Sequence, residues 1–230
     1  MRITTLNLEG FNNWQRREPF ILKYLQEMDS DILLFQEVVY IPSISPHNQV
    51  QLLNKQLEYP TIHTAITRLQ ASSHYEVFRE GLGVLSKYPI TTTDTIILKR
   101  AEGDEHNRII QLLDVTTDEG TIKIANIHFS LMNIADFATP HLQETLEILA
   151  SRGEQRIIAG DFNMNDLDAC APLWQEQYHA SNQVEYISFP STNERIDYFL
   201  IPESCTFGDV TISGDGLSDH RALTADITVS

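Results

Sequence analysis

Cysteine is scarce. The 230 residues hold two, Cys170 and Cys205, too few for a disulfide framework, and they read as ordinary thiols of a reducing compartment. Long apolar runs are missing as well. No stretch approaches the ~18 residues of a membrane-spanning helix. The opening MRITTLNLEG turns polar by Asn7 and has no room for the apolar segment of a signal peptide. Glycine and proline, at 10 and 9, form no linker or low-complexity tract, and the composition excludes collagen, coiled coil and bulk disorder. Basic residues are outnumbered two to one, 16 Lys and Arg against 32 Asp and Glu, for a net charge of −16. The expectation is a soluble, cytoplasmic monomer with no stable membrane insertion; a processed precursor would read the same way.

The charge is uneven. Residues 1–115 carry 11 basic and 14 acidic side chains, a net of −3, and residues 116–230 carry 5 and 18, a net of −13. Such a field repels polyanions and slows their encounter. Duplex DNA binders leave a basic footprint, and none is visible here. This argues against a dedicated duplex binder, although a local cationic groove or a bound divalent cation would reverse the sign near a site.

At ~100–200 residues per domain, one domain over 1–230 is the better reading, and such a chain can bury roughly 70% of its unfolded surface. Residues 2–8 read as a strand. Residues 14–29 read as a helix with Phe20, Ile21, Tyr24, Leu25 and Met28 on one stripe and with Pro19 near its start, where a missing N–H is harmless. DILLFQEV (31–38) is a short continuous apolar run, as in a strand buried on both faces. A helix at 47–57 follows, then strands at 60–68, 82–86, 92–98, 107–115 and 121–130. Thr139-Pro140 opens a helix that Gly153 stops. RIIAG (156–160) is another buried strand, 172–179 reads as helical, and strands at 195–201, 206–212 and 222–229 close the chain.

An internal echo runs through this order. A strand ending in Asn7, a helix, and a buried strand ending in Glu37 are matched by a strand ending in His128, a helix, and a buried strand ending in Asp161 and Asn163. The spacings are 30 (37 − 7) and 33 (161 − 128) residues. Each half is a β-α-β unit with polar residues at strand ends, where α/β sheets gather their ligands. Two such units could pack as two sheets with helices outside and the polar ends on one rim.

The polar interruptions are Asn7, Gln36-Glu37, His128, Gly160-Asp161-Phe162-Asn163, Asp197 within RIDYFLI, and Ser218-Asp219-His220. Singly, each has an ordinary structural reading: a turn cap, a solvent-facing end, a bonded core histidine, an Asx turn. Together they aim carboxylates, amides and two imidazoles at strand termini. Carboxylates without matching lysines imply a hard cation with oxygen ligands, such as Mg²⁺. Imidazoles beside it suggest acid–base work on a phosphate ester.

The segments TLNLEG, DILLFQEV, EGLGVLSKYPI, NIHFS, AGDFNMN, RIDYFLIP and LSDHRAL, in this order from residue 4 to 223, resemble the endonuclease/exonuclease/phosphatase superfamily. That group takes in deoxyribonuclease I, exonuclease III-like repair nucleases, neutral sphingomyelinases, inositol polyphosphate 5-phosphatases and tyrosyl-DNA phosphodiesterases. The resemblance implies a deoxyribonuclease I-like, four-layered α/β sandwich of two central, mostly antiparallel β-sheets flanked by helices. It implies Mg²⁺, or Mn²⁺ in its place, held by Glu37 with Asn7 and Asp219. Asp161 would position or deprotonate the attacking water, and Asn163 would fix that water or the phosphate. His220, oriented by Asp197, would contact the scissile phosphate. His128 matches the strand-end histidine of the deoxyribonuclease I, sphingomyelinase and tyrosyl-phosphodiesterase branches, Glu80 the glutamate that orients it, and Arg108 a phosphate-contacting arginine.

The exonuclease III-like branch lacks the histidine at His128 and fits less well. The insert at 69–80, where nucleases carry DNA-gripping bases, offers only Arg79. The apolar LMNIADFAT (131–139) could line a pocket for an apolar leaving group or, the more ordinary role, pack against the body. His47, His63, His74, His106, His141 and His179 lack a motif and read as surface or capping residues. No serine or cysteine is placed as a nucleophile. The expected activity is hydrolysis of a phosphodiester, or of a monoester, by in-line attack of water; the substrate is a small molecule, a lipid headgroup or a nucleic acid. A nuclease, or a non-catalytic binding module that kept the fold, is the alternative.

Overall fold

Apolar residues that alternate to both faces make strands for the middle of a sandwich, and β2 (Ile32–Tyr40) shows this directly. Ile32 and Leu34 enter a core shared with Leu113, Ile124, Ala159 and Phe199 of a second sheet. Leu33 and Phe35 point the other way, onto Ile21, Leu25 and Leu53 of two helices. Both faces are covered, so the strand reads as a continuous apolar run. The computed structural model describes residues 1–71, 77–131 and 136–229.

The first sheet joins β1 (Arg2–Asn7), β2, β3 (Thr61–Gln70), β4 (Phe78–Ser86), β11 (Cys205–Ile212) and β12 (Leu223–Val229) in the order β11-β12-β1-β2-β4-β3. The second joins β5 (Ile90–Ile97), β6 (Ile109–Thr117), β7 (Gly120–His128), β8 (Ile157–Asp161), β9 (Tyr178–Ala180) and β10 (Asp197–Pro202) in the order β5-β6-β7-β8-β10-β9. Helices α1 (Trp14–Met28) and α2 (Gln49–Leu57) lie outside the first sheet. Helix α3 (Ala138–Ser151) and the short α4 (Ala171–Trp174) lie outside the second. This is the four-layered sandwich implied by the sequence.

The echo is physical. β1 and β2 are parallel and joined by α1, with Asn7 opposite Gln36. β7 and β8 are parallel and joined by α3, with His128 opposite Asp161. Most other pairings are antiparallel. Between the sheets, beneath the polar rim, Gln36 Nε2 donates to Asn126 Oδ1 at 2.8 Å, and Asn126 donates to Gln111 Oε1 and to the carbonyls of Phe35 and Gly83. A buried network with its partners in place holds the two sheets in one register.

Four expectations shift. Pro19 is the sixth residue of α1, past the first turn, so it removes the bond that would reach Gln15; it is exposed, so water can solvate that carbonyl. The apolar stripe of α1 runs through Ile21, Leu22 and Leu25, while Phe20 is 59% exposed. β4 begins at Phe78, four residues before its apolar stretch, because Arg79 and Glu80 pair with β3 across a hairpin. The helix expected at 172–179 stops at Trp174, and Tyr178 and Ala180 turn inward as an edge strand on β10.

Candidate active site

The parallel units bring several strand ends to one rim. Asn7 closes β1, His128 closes β7 and Asp161 closes β8. Asp197, expected inside its strand, opens β10 directly opposite Asp161. His220 stands three residues before β12.

Glu37 reaches the rim through a bulge. Between Phe35 and Val38, β2 gains one residue on β4, and Glu37 takes φ 50°, the left-handed region. A bulge re-aims a side chain, and the conformation costs a non-glycine residue about 1–2 kcal/mol. Asn163 also has positive φ, 53°, but asparagine tolerates it. Gly160, at φ 141°, is required: a methyl group there would overlap the Ile127 carbonyl oxygen and displace Asp161.

Asp161 is the hub. Its Oδ1 accepts from the Asn163 backbone N–H at 2.9 Å and its Oδ2 from Asn7 Nδ2 at 3.0 Å. The Nε2 atoms of His128 and His220 approach the same Oδ2 at 3.5 and 3.7 Å. These gaps exceed a good hydrogen bond, so both imidazoles face the carboxylate without closing on it. His220 Nδ1 lies 2.9 Å from Asp197 Oδ2, and the Phe189 ring packs against the imidazole with centroids 4.9 Å apart and planes tilted by 53°. Asn163 Nδ2 donates to the Phe129 carbonyl at 2.9 Å.

The electrostatics separate the two imidazoles. Burial opposes charge on His220, but Asp197 and Asp161 outweigh it and push its pKa up to about 10. Burial, with Arg108 and His220 adding to it, holds His128 well below the ordinary range, so it is neutral. Burial together with Glu80 and Asp161 pushes Glu37 up to about 7, against the pull of the Asn7 amide. Burial also raises Asp161.

One expectation at the site is corrected. Glu80 does not orient His128. It pairs with Arg68, Nη2 to Oε1 at 2.9 Å, and accepts from Gln70. The neighbour at His128 Nδ1 is Arg108, whose Nη1 is 2.9 Å away.

A cavity of about 520 Å³ opens over these groups, lined by Glu37, Arg108, His128, Asp161, Asn163 and His220, with Asp219 exposed on its edge. Arg68, His106 and Phe189 line it too and were not expected there. Arg68 and Phe189 carry no motif, and β-register alone brings Arg68 in; His106 was read as a surface residue. His141, also read as surface or capping, is 2% exposed and ties Lys99 O to α3. Leu131 lines the cavity, but residues 132–135 of the apolar segment after it, and His74, lie outside the described residues.

Arg17 was missed as well. It is buried, and its guanidinium donates to the carbonyls of Leu8, Gly10, Asn12 and Leu217. It ties the loop after β1 to the loop that carries Asp219 and His220.

The residues fit a hard divalent cation. Glu37, Asp161 and Asp219 put carboxylate oxygens around one cavity, and Glu37 is raised by burial first and then by the carboxylates of Glu80 and Asp161. Asp161, Asp197 and His220 also have candidate ligand atoms within 4.8 Å of one another. Asp197 and the charged His220 already engage each other, so the side near Glu37 is the better seat.

The profile of the endonuclease/exonuclease/phosphatase family matches residues 4–220. The chain belongs to that family. Members of the endonuclease/exonuclease/phosphatase family hydrolyse phosphoester bonds. Among solved structures, a family protein from Leptotrichia buccalis is 17% identical, with 99% of each chain covered and a TM-score of 0.80. The human Nocturnin catalytic domain with bound sulfate is 17% identical, covering 100% of this chain and 94% of that one, with a TM-score of 0.78. D. rerio TDP2 complexed with single-strand DNA product is 16% identical, covering 100% and 99%, with a TM-score of 0.75. At these identities the likeness establishes the fold. No curated protein matches the chain.

Proposed function

We propose that the chain is a Mg²⁺-dependent phosphoesterase that cleaves a phosphodiester by direct attack of water, in one domain. The observation that carries this is the convergence of two imidazole Nε2 atoms on the Asp161 carboxylate, beside Glu37, at the floor of one cavity. Glu37, with Asn7 and Asp219, would hold the cation, whose chemistry when bound is to neutralise phosphate charge.

This chain's residues do the rest. Asp161 accepts the proton of the attacking water, and Asn7 and the Asn163 N–H hold it in place. His220 is charged; it binds the phosphate oxygens and protonates the departing alkoxide, and Asp197 keeps its ring aligned. Each acid–base contact is worth ~10²–10⁴-fold. The net charge of −16 favours a small phosphodiester or a headgroup over duplex DNA.

The test is a hydrolysis panel with Mg²⁺: bis-p-nitrophenyl phosphate, p-nitrophenyl phosphate, plasmid DNA, sphingomyelin and inositol phosphates. Turnover of the diester above the monoester supports the reading. Absence of metal-dependent turnover across the panel removes it. Submicromolar metal-free affinity for duplex DNA at ~150 mM salt would move nucleic acid to the front.

A further inference from the structure

His128 lies between Arg108, at the approach to β6, and Asp161, at the end of β8. Its Nδ1 is 2.9 Å from Arg108 Nη1, and its Nε2 faces Asp161 Oδ2 at 3.5 Å. The carboxylate that the sequence offered for Nδ1, Glu80, is bound to Arg68 and Gln70. A guanidinium carries only donors. The atom it meets at hydrogen-bond distance must therefore present a lone pair, and in an imidazole this fixes the one proton on the other nitrogen.

We propose that Arg108 is a positioning residue that locks His128 as the neutral tautomer protonated on Nε2, so that His128 gives the reacting phosphate a hydrogen bond but no proton. This rests on the phosphoesterase reading above. The surroundings agree from every side. Arg108, Arg68 and His106 press positive or ionisable groups on the ring, and His220 adds a charged imidazole. Asp161 is the one carboxylate within ion-pair distance of it among the described residues, and that carboxylate is shared with Asn7 and His220. The ring is 5% exposed, and on its Nδ1 side the position a water would take is filled by Arg108.

The chemistry follows from the proton count. Releasing the Nε2 proton would leave a buried imidazolate, so His128 stays a donor through the cycle. It cannot accept the water's proton, because its free lone pair is held by Arg108. The water's proton passes to Asp161. The leaving oxygen takes a proton from His220, the imidazole that Asp197 keeps charged, and exchange with solvent restores both. The two histidines therefore have different jobs: one is a fixed neutral donor, the other an acid. An amide can replace the first but not the second.

The experiment uses the full chain labelled with ¹⁵N-histidine, read by long-range ¹H–¹⁵N spectra at neutral pH with and without Mg²⁺. His128 should show a bare Nδ1 and a protonated Nε2 in both. Arg108→Met should release this, giving mixed tautomers or an imidazolium on mild acidification, and Arg108→Lys should keep the wild-type pattern. On bis-p-nitrophenyl phosphate, His128→Gln should stay within ~10-fold of wild type while His128→Ala loses ~10²-fold, and His220→Gln should fall as far as His220→Ala. A protonated Nδ1 in the wild-type spectrum overturns the proposal without needing any variant to fold. So does His128→Gln falling as far as His128→Ala. If no phosphoester is turned over, the phosphoesterase reading fails, and the spectrum alone still decides what Arg108 does to His128.

Discussion

Glu37→Gln should make the metal-free protein more stable while it removes the metal response. Burial and the carboxylates of Glu80 and Asp161 move Glu37 from 4.5 to about 7. Each pKa unit corresponds to about 1.4 kcal/mol, so the ionised side chain destabilises the fold by about 2–3 kcal/mol after allowance for partial exposure. The sign is set by which state ionises first. As pH rises through 4.5, the unfolded chain loses this proton while the folded chain keeps it, so stability falls. The loss grows up to about 7 and is constant above it. Gln keeps the shape, the left-handed backbone and the bond from Asn7, and carries no charge. At pH 8 in EDTA the variant should melt roughly 4–12 °C above wild type, at ~2–4 °C per kcal/mol for a chain of this size. The gap should close at and below pH 4.5. Mg²⁺ should raise the melting temperature of wild type and leave the variant unmoved. A variant that melts below wild type at pH 8 in EDTA, or a gap that persists unchanged on acidification, would refute the reasoning.

Three further perturbations test the scaffold. Gly160→Ala should cost about 3 kcal/mol or more, because φ 141° is closed to alanine and the methyl group overlaps the Ile127 carbonyl; a denaturant midpoint equal to wild type would contradict it. Arg17→Met strands the carbonyls of Leu8 and Leu217 and should cost about 2–3 kcal/mol, with turnover falling at temperatures where the variant is still folded. Pro19→Ala restores a donor inside α1 at an exposed position and should add about 1–2 kcal/mol in urea melts without changing activity.

The strand and helix pattern was legible where burial is two-sided or periodic. DILLFQEV and RIIAG read as buried strands and are so, and the β-α-β echo is realised as two parallel pairs with Asn7 and His128 at equivalent ends. The convergence of Asp161 and His220 was legible because one closes a strand and the other sits in a short loop beside one; Asp197 read as lying inside its strand, and its place beside His220 came from the family resemblance. Pairing partners across the hairpin were not. Glu80 and Arg68 are 12 residues apart, and a bulge between Ile66 and Arg68 on β3 sets which of them meet. The bulge that aims Glu37 adds one residue without any glycine to mark it. Arg17 looked like one of many helix-surface bases, and only the return of the chain at Leu217 encloses it. Long-range polar contacts depend on register and loop path, and neither leaves a local trace in composition.

The central claim is that a divalent cation and Asp161 act together on a phosphoester, and one comparison tests it most directly. Turnover of bis-p-nitrophenyl phosphate is measured for wild type and Asp161→Asn, each with Mg²⁺ and with EDTA. The account predicts wild-type turnover with Mg²⁺ only, and a loss of ~10²-fold or more in Asp161→Asn with its fold and its Mg²⁺-induced rise in melting temperature intact. Full wild-type turnover in EDTA, or an Asp161→Asn rate within threefold of wild type, would contradict it.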